Sequence, residues 1–367
     1  MAFWVFLVIV SFMTLIYKYI TSKLLDDLKN IHTISLFSIL LGIITKQGGK
    51  DKYYSNYKKY FENDGIVKIW KRHRRICNPA FKALPIHLFV DTGLKLMRVL
   101  EKIDDKPVEI RDLLQRFTLD TLGKVAFDFD FNNLGNPNNI YVKTYNKVHE
   151  FIVNPLRFVF PIDYIPGIRQ QTFSHFNKLI GLFKEIIKKK HEAIAAGKSN
   201  GDLLEYMIKN NDDQMLSDSE LRYNLAVFMM AGHNTTLNAL TAILYLLSIH
   251  KDVQEKAREE ILRILGDNLT PSIEQQNSLK YLNMIINESF RLYPPVPSIF
   301  RELTEDLKFK NSVIPAGTII ELFLYGMHHS PKIWNNPEKF LPERFENQHT
   351  GENNFWMPFG YGYRMLV

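Results

Sequence analysis

Apolar residues recur along most of this chain at the three-to-four-residue spacing of a helix rather than the two-residue spacing of a strand. PVEIRDLLQRFTLDTLGKVAF keeps that spacing from Val108 to Phe127. FNKLIGLFKEIIKKKHEAIAAG, from Phe176, keeps it too and closes on basic residues and Gly197, as helix C-termini do. Between them NPLRFVFPIDYIPGIRQ carries three prolines and reads as a loop. Ser217 and Glu220 have capping-box spacing ahead of LRYNLAVFMMAGHNTTLNALTAILYLLSIH. That run is apolar nearly all round, which predicts a central buried helix, and Asn224, His233, Asn234 and Asn238 within it argue against a membrane span. KDVQEKAREEILRIL and KYLNMIINESFRLY continue the helical pattern, and then the texture changes. VIPAGTIIELFLY reads as two short strands about a Pro-Ala-Gly turn. Upstream, GIVKIW (Gly65 to Trp70) looks like a strand that meets the basic helix KRHRRICNPAF, closed by Asn78 and Pro79, with no turn signal between. The fold class is mainly α with a small β portion.

No repeat, low-complexity tract or Gly/Ser linker divides the chain after residue 64, so 65–367 reads as one domain. Of 367 residues, 46% are hydrophobic, ample for a packed core. A net charge of +7 is modest for this length, and the acids are interspersed, which excludes nucleic acid as the partner. KRHRR is then a cationic face for carboxylates or an acidic redox partner rather than a nuclear-localisation patch. Cys77 is the sole cysteine, so there is neither a disulfide framework nor a cysteine-built zinc site. AFWVFLVIVSFMTLIY, Ala2 to Tyr17, carries no charge and is followed by Lys18 and Lys23. Residues 1–20 reach the lower length limit of a transmembrane anchor, and the flanking lysines leave the body on the cytosolic side. Residues 21–64 are a linker and membrane-proximal segment, with IHTISLFSILLGIIT lying against the membrane.

Three short stretches could carry chemistry. Glu288 and Arg291 stand three apart on one helix face; alone they would be a solvent-exposed ion pair, but Arg344 in FLPERF could complete an internal Arg–Glu–Arg cluster. In AGHNTT, Ala231 and Gly232 leave room beside the backbone, and the adjacent threonines can bond back to preceding carbonyls. Together these suggest a groove for a flat ligand and a small reactant. PFGYGYRMLV, with Gly360 and Gly362, is a tight loop that something must approach closely. Met365 stands where a third glycine would be needed for dinucleotide binding, and H-E-x-x-H, G-x-S-x-G and P-loop patterns are absent. His328 and His329, adjacent rather than at ligand spacing, read as surface or packing residues.

These motifs, in this order, resemble the cytochrome P450 haem-thiolate monooxygenases of the eukaryotic microsomal type: W-x-x-x-R at Trp70 and Arg74, AGHNTT, E-x-x-R at Glu288 and Arg291, F-x-P-E-R-F at Phe340 to Phe345, and FGYGYR at Phe359 to Arg364. The resemblance implies a P450 fold binding haem b. It further implies insertion of one oxygen atom of O2 into an apolar small-molecule substrate, with electrons from NADPH through NADPH-cytochrome P450 reductase, on the cytosolic face of the endoplasmic reticulum membrane. It casts Trp70, Arg74, Arg301 and Arg364 as donors to the haem propionates, and Ala231 and Gly232 as the groove beside the cofactor. Thr235, with Asn234 beside it, becomes the catalytic hydroxyl that meets dioxygen and relays protons. Glu288, Arg291 and Arg344 become the supporting network, and Phe359, Gly360 and Gly362 the loop beneath the haem.

Three positions depart from the family pattern. The loop reads F-x-x-G-x-R-x-C in the family, and Leu366 occupies the position of the thiolate, so no metal ligand is assigned. At Ile69 to Lys71 a strand, a helix and a long loop of the family pattern are skipped, so the haem domain is expected to be incomplete and truncated before the ligand cysteine. Asn234 replaces a carboxylate and cannot carry a proton as one does. A second reading follows: a haem-free, inactive relative acting at most as a membrane-anchored interaction protein.

Overall fold

The computed structural model describes residues 72–81, 85–103, 106–152, 166–198, 200–209, 216–268, 270–346 and 355–360. The expected anchor, the membrane-proximal segment, the strand–helix junction and Trp70 lie outside them. The chain divides into two compact units, 1–67 with 153–171 and 68–152 with 172–367, and nearly all described residues belong to the second.

That unit is mainly helical with two small sheets. A first helix, α1, covers 72–77 and continues as a 3-10 turn from Asn78 to Phe81. Asn78 and Pro79 thus close the α-helix as expected and open the 3-10 turn, whose first residues need no N–H and so tolerate proline. Then come α2 (Ile86–Glu101), α3 (Ile110–Phe127), α4 (Ile140–Ile152), α5 (Pro166–Ala195) and α6 (Leu203–Lys209). α3 ends in a left-handed Asp128 (φ 52°), with Phe129 N donating to Gly123 O at 2.9 Å. Past the expected C-terminal end of α5, Gly197 takes φ +74°.

The long helix α7 (Asp218–Ile249) starts with the predicted capping box: the Ser217 side chain accepts from Glu220 N, and Glu220 reaches back to Ser217 N. Its upper turns join one core with Phe127, Tyr145 and Phe183, and its lower turns join a second with Val253, Ile285 and Phe340. The expectation of burial all round is corrected: Tyr223, Val227, Tyr245 and Ile249 are exposed, because only the sides facing neighbouring helices are covered. α8 (Lys251–Leu265), α9 (Ile273–Ser278) and α10 (Lys280–Leu292) follow.

The β portion contains β1 (Ser298–Glu302), β2 (Leu307–Phe309), β3 (Ser312–Ile314) and β4 (Ile319–Phe323). The two strands about Pro-Ala-Gly exist, with Gly317 at φ +77°, but they do not pair with each other. β2 pairs antiparallel with β3 across a two-residue turn carrying Lys310 at φ 52°; β4 returns to β1, with Ser298 opposite Phe323 and Glu302 opposite Ile319. A tight β2–β3 hairpin thus interrupts the wider β1–β4 pair. Leu324 begins a short helix, α11 (Leu324–His328), and Pro342–Phe345 form a 3-10 turn.

Candidate functional site

The polar centre is built on α10. Glu260 of α8 holds the start of that helix, its carboxylate accepting from Tyr281 N at 2.8 Å and Leu282 N at 2.9 Å. Two turns on, Glu288 and Arg291 have no exposed surface, so of the two sequence readings the internal cluster holds and the solvent-exposed pair does not. The contact is bidentate, Nε to Oε2 at 2.7 Å and Nη2 to Oε1 at 2.9 Å. Arg291 Nη1 donates to His328 O at 2.8 Å, and Leu341 N donates to Glu288 Oε1 at 3.0 Å. Arg344 completes the cluster, its Nε 3.3 Å from Glu288 Oε1 and its Nη2 2.7 Å from Asn336 O. The Arg291 guanidinium also lies 5.3 Å from the Trp334 ring centre. Two desolvated charges are tolerable here because nearly every donor and acceptor on them is engaged.

The first residues of the glycine loop rest on this centre. Trp356 Nε1 donates to Asn287 O at 3.1 Å, and Met357 N donates to His328 Nε2 at 3.2 Å. Phe359 meets Phe290 edge-on, ring centres 5.6 Å apart. Gly360 turns back with φ +79°, and a Cβ there would sit 3.3 Å from Ile299 of β1. Both the conformation and the close approach account for the glycine. Gly362, Arg364 and Leu366 lie outside the described residues.

On α7, Thr235 and Thr236 bond back to Ala231 O and Gly232 O, each at 2.7 Å, as their sequence suggested. The expected room beside Gly232 is taken: Leu122 of α3 would stand 3.2 Å from a Cβ there. Asn234 Nδ2 donates to the Tyr145 hydroxyl at 3.1 Å and to Met230 O at 3.3 Å, so this catalytic candidate also serves as a helix–helix tie. His233, fully buried, has Nδ1 2.7 Å from Thr118 Oγ1. That hydroxyl also lies 2.9 Å from Leu114 O, so the histidine and the threonine form one buried tie between α3 and α7. Burial holds His233 down to about 3, with His149 and Arg111 adding to the effect. Farther along α7 a groove of about 430 Å³ opens between Asn238, Thr241 and Tyr245 on one side and Tyr293 and Pro294 on the other. Arg111 bonds Asn238 Oδ1 at its edge, 3.1 Å away, and neither Thr235 nor Asn234 lines it.

Arg74 lies half-buried on α1, which is tied to the start of α7 by an Arg72–Glu220 ion pair and by His73 Nδ1, 3.1 Å from Asn224 Oδ1. Arg301, half-buried on β1, donates to Phe300 O at 2.9 Å. The structure thus brings Glu288, Arg291 and Arg344 together with the loop carrying Phe359. Arg74, Arg301 and the Thr235 turn stand on separate elements. Cys77 is buried, its thiol raised to about 11 by that burial, which makes it a packing residue.

The family model Cytochrome P450 matches residues 43–365, a span that contains the buried Glu288–Arg291 pair, the P-E-R-F turn and the glycine loop. The chain belongs to the cytochrome P450 family. It is 32% identical over 322 residues to Cytochrome P450 4A11 of Homo sapiens, covering 82% of this chain and 62% of the relative. Cytochrome P450 3A25 of Mus musculus is 29% identical over 319 residues, covering 81% and 63%. Taurochenodeoxycholic 6 alpha-hydroxylase of Sus scrofa is 31% identical over 322 residues, covering 82% and 64%. The chain spans less than two thirds of the length of these relatives. Membership in the P450 family implies haem, and the fit of this chain to it is divided. Arg74 and Arg301 are cations suited to carboxylates, and Gly360 permits close approach. Leu366 is a hydrocarbon with no lone pair for iron.

Sequence reasoning missed the residues that hold this P450 centre in place. Glu260 carries no assignment in the sequence reading, and His328 and His329 are there given surface or packing roles without a choice between them. Only chain packing shows that Glu260 caps another helix and that His328 is sealed inside.

Proposed function

We propose that this chain carries the scaffold of a P450-type haem monooxygenase and that, with leucine at 366, it does not perform the reaction. The reaction class is insertion of one oxygen atom of O2 into an apolar organic substrate, with electrons from an NADPH-dependent reductase on the endoplasmic reticulum membrane. Haem held by a cysteine thiolate supplies the electron density that favours O–O cleavage. The observation that supports the scaffold is the fully buried Glu288–Arg291 pair with Arg344, which carries the glycine loop on the same helix. Within it, Thr235 offers a hydroxyl oxygen as acceptor while its proton is engaged by Ala231 O. Asn234, held by Tyr145, orients but does not shuttle protons.

Leu366 favours the second reading for the chain as it stands, a relative acting through binding rather than oxidation. The experiment is spectroscopic. The full chain, expressed with haem supplied, is expected to lack a thiolate-type Soret band, and Leu366→Cys is expected to gain one. A thiolate band in the unsubstituted protein would overturn the inactivity; no band in Leu366→Cys, with the protein folded, would overturn the scaffold reading.

A further inference from the structure

His328 joins the charged centre to the glycine loop through both of its polar ends. Its carbonyl accepts from Arg291 Nη1 at 2.8 Å, and its ring Nε2 lies 3.2 Å from Met357 N. The side chain has no exposed surface. A backbone N–H can only donate, so Nε2 must present its lone pair and the proton must sit on Nδ1. Among the described residues no acceptor meets that buried Nδ1. An imidazole kept in this tautomer, without a partner for its own N–H, is held by what its other nitrogen receives.

We propose that His328 is a positioning residue for the glycine loop: its neutral imidazole fixes Met357 and, through the Gly360 N to Met357 O turn at 3.0 Å, sets where the loop leaves the core. A protonated ring would face Met357 N–H with a second donor and release it. The charged and titratable groups facing His328 are Arg291, from α10, and His329, which follows it in the chain; burial, Arg291 and His329 all oppose its protonation. Trp356, Phe359 and Gly360 pack on their own surfaces, but of the described loop residues only Met357 bonds to this ring. The inference rests on the proposed function for what the loop is for, and not for the contact itself.

The test compares the full chain with His328→Leu and His328→Gln. Leucine removes the acceptor, whereas the glutamine carbonyl oxygen reaches the place of Nε2. Exchange protection of the Met357 amide is expected to fall at least tenfold in His328→Leu and to return in His328→Gln, while amides of α10 keep theirs. Unchanged Met357 protection in His328→Leu would overturn the proposal. Should the leucine variant fail to fold, the ring nitrogen resonances of the unsubstituted protein decide: a bare Nε2 with Nδ1–H sustains the proposal, and an Nε2–H tautomer refutes it. Neither readout needs haem, so a failure here is separate from a missing thiolate band in Leu366→Cys.

Discussion

At the scale of single residues the decisive fact is that Glu288 and Arg291 are dry. Removing one partner leaves the other charge buried and uncompensated, a loss of about 3–5 kcal/mol. Glu288→Ala is therefore expected to lower unfolding stability by that amount, read as the shift of a denaturant midpoint. A second expectation concerns acid. His233 and His328 are held to about 3 and about 4, both chiefly by burial, against an ordinary value of 6.5. The unfolded chain binds protons on these rings that the folded chain refuses, so their contribution is complete above pH 6.5 and is lost as pH falls through about 4 for His328 and about 3 for His233. Each ring contributes a slope of about 1.4 kcal/mol per pH unit between its two values. Denaturation across that window should show His328→Gln with a slope shallower by one proton, and an unchanged slope would rule the mechanism out. The Glu288–Arg291–Arg344 set was legible in the sequence because its spacing is local and its motif ordered. His328 was not, since nothing in two adjacent histidines reveals which one faces inward.

At the scale of elements, turn chemistry decides where helices stop and how they close on one another. Gly123 sits inside α3, where alanine would favour the helix by about 1 kcal/mol. A Cβ there would stand 2.6 Å from the Phe129 carbonyl, an atom that cannot move aside. Gly123→Ala is expected to destabilise the protein by about 1–3 kcal/mol net, measured by thermal unfolding; stabilisation would mean that the loop after α3 yields freely. The capping box of α7 makes a smaller claim: Ser217→Ala should cost about 1 kcal/mol in the same measurement. The ends of α3 and the start of α7 were read from the sequence to within a few residues because apolar period and caps agreed there, but α5 begins at Pro166, ten residues before Phe176 and inside the stretch read as a loop, because a proline is tolerated in a first helical turn. The strands about Pro-Ala-Gly were found, but their partners were not. Pairing depends on the β2–β3 hairpin lying between β1 and β4, a long-range choice that the period of either strand does not contain.

At the scale of the molecule, α7 belongs to both hydrophobic cores, with Leu225 and Met229 in one and Leu246 in the other. Neither core keeps its wall without that helix, which predicts one cooperative transition. Native-state hydrogen exchange should give α3 and α10 the same opening free energy, and two distinct transitions would show that the cores are independent. The same helix carries AGHNTT beside one core and the aromatic groove around Tyr245 beyond it, so the proposed site and the stability of the chain rest on one element.

The sequence alone determined the family, the helical class and the position of each chemical motif, because these follow from local period, capping and ordered short patterns. It also determined that residue 366 offers no iron ligand, since that depends on side-chain chemistry and on nothing else. Tertiary structure decided which charges are dry, which way Asn234 faces, what fills the space beside Gly232 and which histidine holds the glycine loop. Those properties arise where residues distant along the chain exclude water together, and no periodicity within one segment records its neighbours.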